Sequence, residues 1–276
     1  MRPLRPGFDT DAFFEHVAAA PARALLLDYD GTLAPFRVER DRAFPYPGIR
    51  ERLAAILEDR RTRLAIVSGR PLADLGPLLS LPGSPELWGS HGLERRSQSG
   101  ESEGSRREPA LADFVGRVGR WAAQRGWAAC FEHKPYGFAL HGRGLDTLRL
   151  AEMRRETLDL WAEEAMSLEL ELLDFDGGFE FRPSGSHKGN VIRSTLAELP
   201  AGSALAYLGD DRTDEDAFAA LAGQGTGVLV RRAFRPTAAD LWITPPGELL
   251  EFLARWREAA LGRPEQGGNR SGDPEP

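Results

Sequence analysis

Short unbroken apolar runs alternate along this chain with stretches in which apolar residues return every three or four positions. Residues 24–28 (Ala-Leu-Leu-Leu-Asp), 64–67 (Leu-Ala-Ile-Val) and 86–89 read as strands, the first two apolar on both faces, as strands covered on each side are. Between them, Ile49, Leu53, Ile56 and Leu57 give 47–60 helical spacing, and Pro71 stands where a helix running to about residue 79 would begin. A short helix is expected over 9–19, ahead of the first strand. Strands alternating with helices predict an α/β fold, a doubly wound Rossmann-like parallel sheet.

The rhythm breaks over 95–108, a polar stretch of Ser, Gly, Glu and Arg. Beyond it the order of elements changes: a helix over 109–124, strands over 127–133 and 136–142 around a Lys134-Pro135 turn, a long helix over 147–166, and strands over 168–174 and 178–182. This αββαββ order predicts an inserted α+β domain, a small sheet covered by two helices on one face. The first rhythm then resumes with helices over 188–199, 213–221 and 247–260 and strands over 204–208, 227–230 and 241–243. The expected organisation is a core domain split into 1–105 and 185–262 around an insert at 106–184. The tail at 263–276, made of Gly, Pro and polar residues with no apolar anchor, is expected to be disordered.

Composition narrows the choice of function more than of fold. A net charge of −7 and a pI near 5.4 argue against nucleic acid or an anionic membrane as the main partner, since both need a basic field. A single cysteine, Cys130, excludes an internal disulfide and a cysteine metal cluster; it reads as a plain strand residue. No apolar run approaches the roughly 20 residues that cross a bilayer, and the first residues lack a signal-peptide core, so a cytoplasmic location is expected.

Candidate chemistry gathers at the ends of the predicted core strands, where open α/β sheets bind ligands. Asp28 and Asp30 stand two apart where the first strand opens into Gly31, so both can lean toward one pocket, although an ordinary strand and Asp-Gly turn fits the same letters. Ser68, before Gly69 and Arg70, offers a hydroxyl and main-chain N–H groups suited to phosphoryl oxygens. Lys188 places a cation at a helix start. Gly209-Asp210-Asp211-Arg212-Thr213-Asp214 crowds carboxylates that need a cation to offset them, and an all-oxygen set points to Mg²⁺. Thr213 with Asp216 also resembles a capping box, which accounts for Asp214 to Asp216 better than for Asp210.

In this order, Asp28-x-Asp30-Gly-Thr, Ser68, Lys188 and Asp210-Asp211 resemble the four motifs of the haloacid-dehalogenase-like phosphatases, and the insert resembles their type 2 cap. The strings D-Y-D-G-T-L, S-G-R, G-S-H-G-L-E, E-H-K-P-Y-G-F-A-L-H-G-R, F-E-F-R-P-x-G-x-x-K-G and G-D-D-R-T-D-E-D-A-F, spread over about 22–260, are similar to those of trehalose-6-phosphate phosphatases. The resemblance implies hydrolysis of trehalose 6-phosphate with Mg²⁺. Asp28 would be the nucleophile, forming an aspartyl-phosphate; Asp30 would be the acid and then the base, while Ser68 and Lys188 complete the catalytic set. Asp28, the main-chain carbonyl of Asp30 and Asp210 would hold the metal, with Asp211 and Asp214 around them.

Arg70, His91, Gly92, Glu132, Lys134, His141, Arg143 and Glu180 are the expected substrate contacts, because a neutral disaccharide is held by dense hydrogen bonds. Arg182 is expected to support Glu180 across its strand pair. A cap on hinges near 95–109 and 183–186 implies opening and closing in each turnover. A monomer is expected, and the resemblance leaves room for functional coupling to a trehalose-6-phosphate synthase. The core motifs alone equally suit a phosphatase of sucrose phosphate or of a glycosyl phosphoglycerate, and the fold also suits a silent sugar-phosphate sensor. Intact Asp28, Asp30, Lys188 and Asp210 speak against the sensor, which has no chemical need of a nucleophile.

Overall fold

The computed structural model describes residues 1–37, 39–104, 108–142, 144–175 and 177–262. The expectations for the tail and for Arg143 therefore fall outside the described residues. In chain order the elements are β1 (Arg2–Pro3), α1 (Thr10–Ala19), β2 (Arg23–Asp28), α2 (Ile49–Asp59), β3 (Arg63–Val67), α3 (Leu72–Leu79), β4 (Glu86–Gly89), β5 (Glu94–Arg96) and β6 (Ser102–Gly104). Then come α4 (Pro109–Gln124), β7 (Phe131–Lys134), β8 (Gly137–His141), α5 (Thr147–Ser167), β9 (Leu170–Phe175), β10 (Gly178–Pro183) and α6 (Lys188–Glu198). The chain ends on β11 (Ala204–Gly209), α7 (Glu215–Leu221), β12 (Thr226–Val230), β13 (Leu241–Ile243) and α8 (Gly247–Leu261).

Among the described residues, the larger sheet runs β1-β13-β12-β11-β2-β3-β4-β5-β6, parallel from β13 to β4. Its central strands β2, β3, β11 and β12 are apolar on both faces because each face is covered. Leu25 and Leu27 of β2 point into a cluster with residues of α1, α2, α3 and α8, whereas Ala24 and Leu26 point into the cluster formed with α6 and α7. By the same alternation Asp28 emerges on the α6 side. β2 and β11 are neighbours whose onward connections leave in opposite directions, to β3 and to β12, and such a switch point opens a crevice beyond the strand ends.

The smaller sheet is antiparallel, ordered β7-β8-β10-β9. Phe138 and Leu140 of β8 and Phe179 and Phe181 of β10 pack against Phe114, Val118 and Met153 of α4 and α5, so both helices lie on one face. The other face carries Glu132, Ala139 and Glu180, aligned across three strands by the pairings Glu132↔Ala139 and Glu180↔Ala139. Ala139 leaves space between two carboxylates that a larger side chain would fill.

Three expectations need correction. The polar stretch expected as a hinge near 95–109 holds ordered strands: β5 and β6 form an antiparallel hairpin on the edge of β4. Its apolar signal is absent because the packing comes from arginine, with the Arg95 guanidinium 4.8 Å from the Trp88 ring and its Nε donating to Glu86 at 2.7 Å. The strand expected from residue 127 begins at Phe131, since the N–H groups of Cys130 and Phe131 both donate to the Trp127 carbonyl, at 2.9 and 3.1 Å, in a helical turn. Trp127 is held there edge-on to Trp121, with ring centroids 5.3 Å apart. The third correction is to the capping pair: Asp211 and Asp214 form the box around the turn Arg212–Asp214, and α7 starts only at Glu215.

Trp256 of α8 is fully buried beneath the sheet, stacked on Phe252, and its indole N–H donates to the Thr62 hydroxyl at 3.1 Å. Trp256→Ala is expected to cost about 3–5 kcal/mol in urea denaturation, whereas Leu148→Ala, on an 82% exposed side chain, should stay within about 0.5 kcal/mol. Equal losses at the two positions would contradict this account of the core.

Candidate active site

The carboxyl ends of β2, β3 and β11 lie level, because Asp28 pairs with Val67 and Leu27 with Leu208. That register delivers Asp28, Ser68 and Asp210 to one crevice. Gly31, at φ +90°, turns the chain back at this point; a Cβ there would lie 2.1 Å from Asp210 Oδ2, so the loop closes on Asp210 only because residue 31 has none.

Lys188, the first residue of α6, is buried with its Nζ donating to Asp28 Oδ1 and to Asp214 Oδ1, both at 2.6 Å. Burial alone would depress its ammonium, but Asp214 and Asp28 outweigh that and hold it charged, its pKa raised. Asp214 has no oxygen to spare: Oδ1 also accepts from the Tyr207 hydroxyl, and Oδ2 accepts from the N–H groups of Asp210 and Asp211 at 2.9 Å each. It is an orienting residue with both oxygens engaged.

Asp28 Oδ2 and Asp210 Oδ1 are buried and have no partner. The carboxylates of Asp28, Asp210 and Asp214 bring one oxygen each within 4.8 Å of one another. Burial raises the pKa of Asp28 and of Asp210; at Asp28 Lys188 opposes the rise, and at Asp210 the neighbouring carboxylates of Asp28 and Asp214 add to it. Three carboxylates around one ammonium leave an excess of buried negative charge. Two orphaned oxygens in an all-oxygen set fit a hard divalent cation, Mg²⁺ among them. Asp211 lines the crevice but its carboxylate accepts from the Asp214 N–H, as a cap.

Asp30 is the more exposed of the two carboxylates in the first loop, and Arg70 grips it with two parallel bonds, Nε to Oδ2 at 2.6 Å and Nη2 to Oδ1 at 2.7 Å. Arg70 is itself buried, 5.7 Å above the Tyr29 ring, and its main-chain N–H donates to Ser68 Oγ at 3.1 Å. Expected as a substrate contact, Arg70 lines the cavity but is already paired.

The helix-free face of the small sheet roofs this crevice and encloses a cavity of about 370 Å³, within the range of small-molecule sites. Glu180 is fully buried between the Lys134 ammonium and His91, whose Nε2 approaches Oε1 to 2.6 Å. Burial pushes the Glu180 carboxyl up, but Lys134 and His91 reverse this and leave it well below the usual carboxylate range. Glu132 is held in the same way: burial opposes ionisation, Lys134, His141 and Arg40 favour it, and its pKa falls to about 2. His141 Nε2 lies 2.7 Å from Glu132 Oε2, and Arg40 bonds the other oxygen.

The structure thus brings Asp28, Asp30, Ser68, Arg70, His91, Glu132, Lys134, His141, Glu180, Lys188, Asp210 and Asp211 to one cavity. Gly92 is not among its lining residues and abuts Val191 instead. Arg182 does not support Glu180; its guanidinium bonds Glu171, its cross-strand partner on β9, at 2.9 Å. Two contributors were missed in the sequence. Arg40 sits in a polar loop with no distinguishing pattern, so nothing pointed to it. Tyr207 carried a signal, since a phenol inside the aliphatic strand Ala204–Gly209 needs a buried partner for its hydroxyl.

Comparison with known proteins places this arrangement. Residues 26–240 match the trehalose-phosphatase family. The chain is 29% identical to "Probable trehalose-phosphate phosphatase C" of Arabidopsis thaliana, covering 86% of this chain and 78% of that one. It is 32% identical to the trehalose-phosphate phosphatase of Mycobacterium tuberculosis (strain H37Rv) over 89% of its own length, and spans 64% of that longer relative. In fold it is similar to the C-terminal domain of C. albicans trehalose-6-phosphate phosphatase, with a TM-score of 0.76 at 21% identity over 93% of this chain and 99% of that domain. Strand-end carboxylates, a roofed cavity and a family match that spans both sheets agree: the chain belongs to the trehalose-phosphatase family, phosphoric monoester hydrolases on the haloacid-dehalogenase-like fold.

Proposed function

We propose that this protein hydrolyses trehalose 6-phosphate to trehalose and phosphate through an aspartyl-phosphate on Asp28. The observation that carries the reading is the buried Asp28–Lys188–Asp214 chain, which leaves Asp28 Oδ2 without a partner, as Asp210 Oδ1 is, with both residues lining one cavity. A carboxylate approaches an anionic phosphoryl group only where positive charge screens it, and Lys188 supplies part of that charge. Asp28, Asp210 and the main-chain carbonyl of Asp30 would hold Mg²⁺, which when bound neutralises the phosphoryl oxygens and the crowded carboxylates.

In this mechanism Asp28 attacks phosphorus, the bond from phosphorus to the sugar oxygen breaks, and Asp30 gives that oxygen a proton. Asp30 then takes a proton from the water that hydrolyses the aspartyl-phosphate, which restores Asp28. Arg70 engages both Asp30 oxygens, so Asp30 reaches the sugar oxygen only by leaving that grip. Ser68, whose hydroxyl lies at the same strand end, would donate to a phosphoryl oxygen. Glu132, Lys134, His141 and Glu180 on the roof, with His91 below, would take the hydroxyls of the disaccharide. We place residues 106–184 as a cap that opens to release product.

Phosphate release from a panel of trehalose 6-phosphate, sucrose phosphate and glucosyl phosphoglycerate should be fastest with the first, need Mg²⁺ and stop with EDTA. Asp28→Asn should lose at least about 10³-fold. Turnover surviving in that variant would rule out Asp28 as nucleophile, and a preference for another sugar phosphate would redirect the substrate assignment.

Glu132→Ala should raise KM for trehalose 6-phosphate about tenfold or more while leaving hydrolysis of a small aryl phosphate near wild type. Parallel losses on both substrates would remove Glu132 from sugar recognition.

The depressed pKa of Glu132 sets a pH dependence with a definite sign. Because its folded value, about 2, lies below its ordinary 4.5, the stabilisation is complete above 4.5 and is lost as pH falls toward 2. The unfolding free energy of the metal-free protein should drop over that window, with a shallower slope in Glu132→Gln; equal slopes would show that the Arg40 and His141 contacts do not favour the ionised form.

A further inference from the structure

The acidic turn after β11 is gripped from two sides, and only one grip comes from the active site. On the inner side Asp214 Oδ2 accepts the N–H groups of Asp210 and Asp211. On the outer side Arg235, from the loop between β12 and β13, takes the carbonyls of the same two residues: Nε donates to the Asp210 oxygen at 3.1 Å and Nη2 to the Asp211 oxygen at 2.6 Å. Arg235 is in turn fixed by Glu215, the first residue of α7. Glu215 also accepts from the Thr237 hydroxyl and the Ala238 N–H, each at 2.8 Å, which ties the Arg235 loop to the acidic turn.

From this we infer that Arg235, locked by Glu215, is a positioning residue that aims the Asp210 carboxylate into the cation site. A planar guanidinium spanning two consecutive carbonyls fixes the orientation of the peptide between them, which a point-charge ammonium does not. With amides held by Asp214 and carbonyls by Arg235, joined at the Asp210 carbonyl by a longer bond from Arg231 at 3.4 Å, the main chain at 210–211 has little freedom to rotate, and Asp210 Oδ1 stays buried and unpaired. Groups that orient a ligand without touching the metal typically matter by about 10- to 100-fold in metal affinity.

The sign of the effect separates this role from a purely electrostatic one. A positive charge near a cation site weakens cation binding, so removing it by Coulomb's law alone tightens binding. Loss of positioning does the reverse. The inference rests on the cation reading given above, and its test begins with the wild-type protein.

Mg²⁺ titrated calorimetrically into wild type, Arg235→Met, Arg235→Lys and Glu215→Gln measures affinity without turnover. Arg235→Met should weaken Mg²⁺ binding about tenfold or more, and Arg235→Lys and Glu215→Gln several-fold, the lysine keeping the charge but reaching one carbonyl only. In turnover, raising Mg²⁺ should restore kcat in each variant with KM for the sugar phosphate unchanged, which a general loss of structure would not allow. Unchanged or tighter Mg²⁺ binding in Arg235→Met overturns the inference. If that variant does not fold, wild-type affinity in both Arg235→Lys and Glu215→Gln overturns it equally. Failure of the wild type itself to bind Mg²⁺ would instead sink the cation reading beneath it.

Discussion

The structure turns on one buried ammonium. Lys188 lies between Asp28 and Asp214 with almost no solvent contact, and its charge offsets the cost of burying both carboxylates. Its position requires the whole core architecture: β2 and β11 side by side at the switch point, and α6 laid across them so that its first residue meets their ends. Hydrophobic burial on both faces of the sheet holds that frame, and the frame holds the charges close. The excess of carboxylate that remains is a stored demand for a cation, met in the folded state only in part.

A second layer of charge lies on the roof. Glu132 and Glu180 occupy one face of a four-stranded sheet whose opposite face is an aromatic core, and the strand alternation that buries Phe179 and Phe181 forces Glu180 the other way. Each of these two carboxylates is satisfied partly by its own sheet, through Lys134 or His141, and partly by the core, through His91 or Arg40. These ion pairs join the two sheets. Under the proposed function a sugar would exchange these ion pairs for hydrogen bonds to its hydroxyls, which would favour a ligand dense in them.

The first-loop carboxylates illustrate how environment assigns different tasks to like groups. Asp28 is buried, bonded to one ammonium and left with one open oxygen. Asp30, two residues on and more exposed, is held by a guanidinium at both oxygens. Under the proposed mechanism one would attack and the other would carry protons, and the difference in their contacts comes from what surrounds them.

Much of this was legible in the amino-acid order. Helical and strand periods locate almost every core element, since burial on one stripe or two faces leaves a local signature, and the motifs at the strand ends single out Asp28, Asp30, Ser68, Lys188 and Asp210, which the fold brings to one cavity. The misses share a cause. β5 and β6 carry no apolar alternation because arginine side chains pack their edge, Arg40 opens a short polar 3-10 turn, Arg235 comes from an irregular loop, and the pairing of Arg182 with Glu171 depends on register. By itself the sequence determined which polar and charged residues stand at the ends of the core strands, because composition and period act over a few neighbours. Only the tertiary structure decided which charges meet, that Arg70 holds Asp30, that Asp214 is fully engaged, and that Arg235 grips the acidic turn. Hydrogen bonds between residues far apart in the chain form when the fold brings them within about 3 Å, and no local pattern encodes that distance.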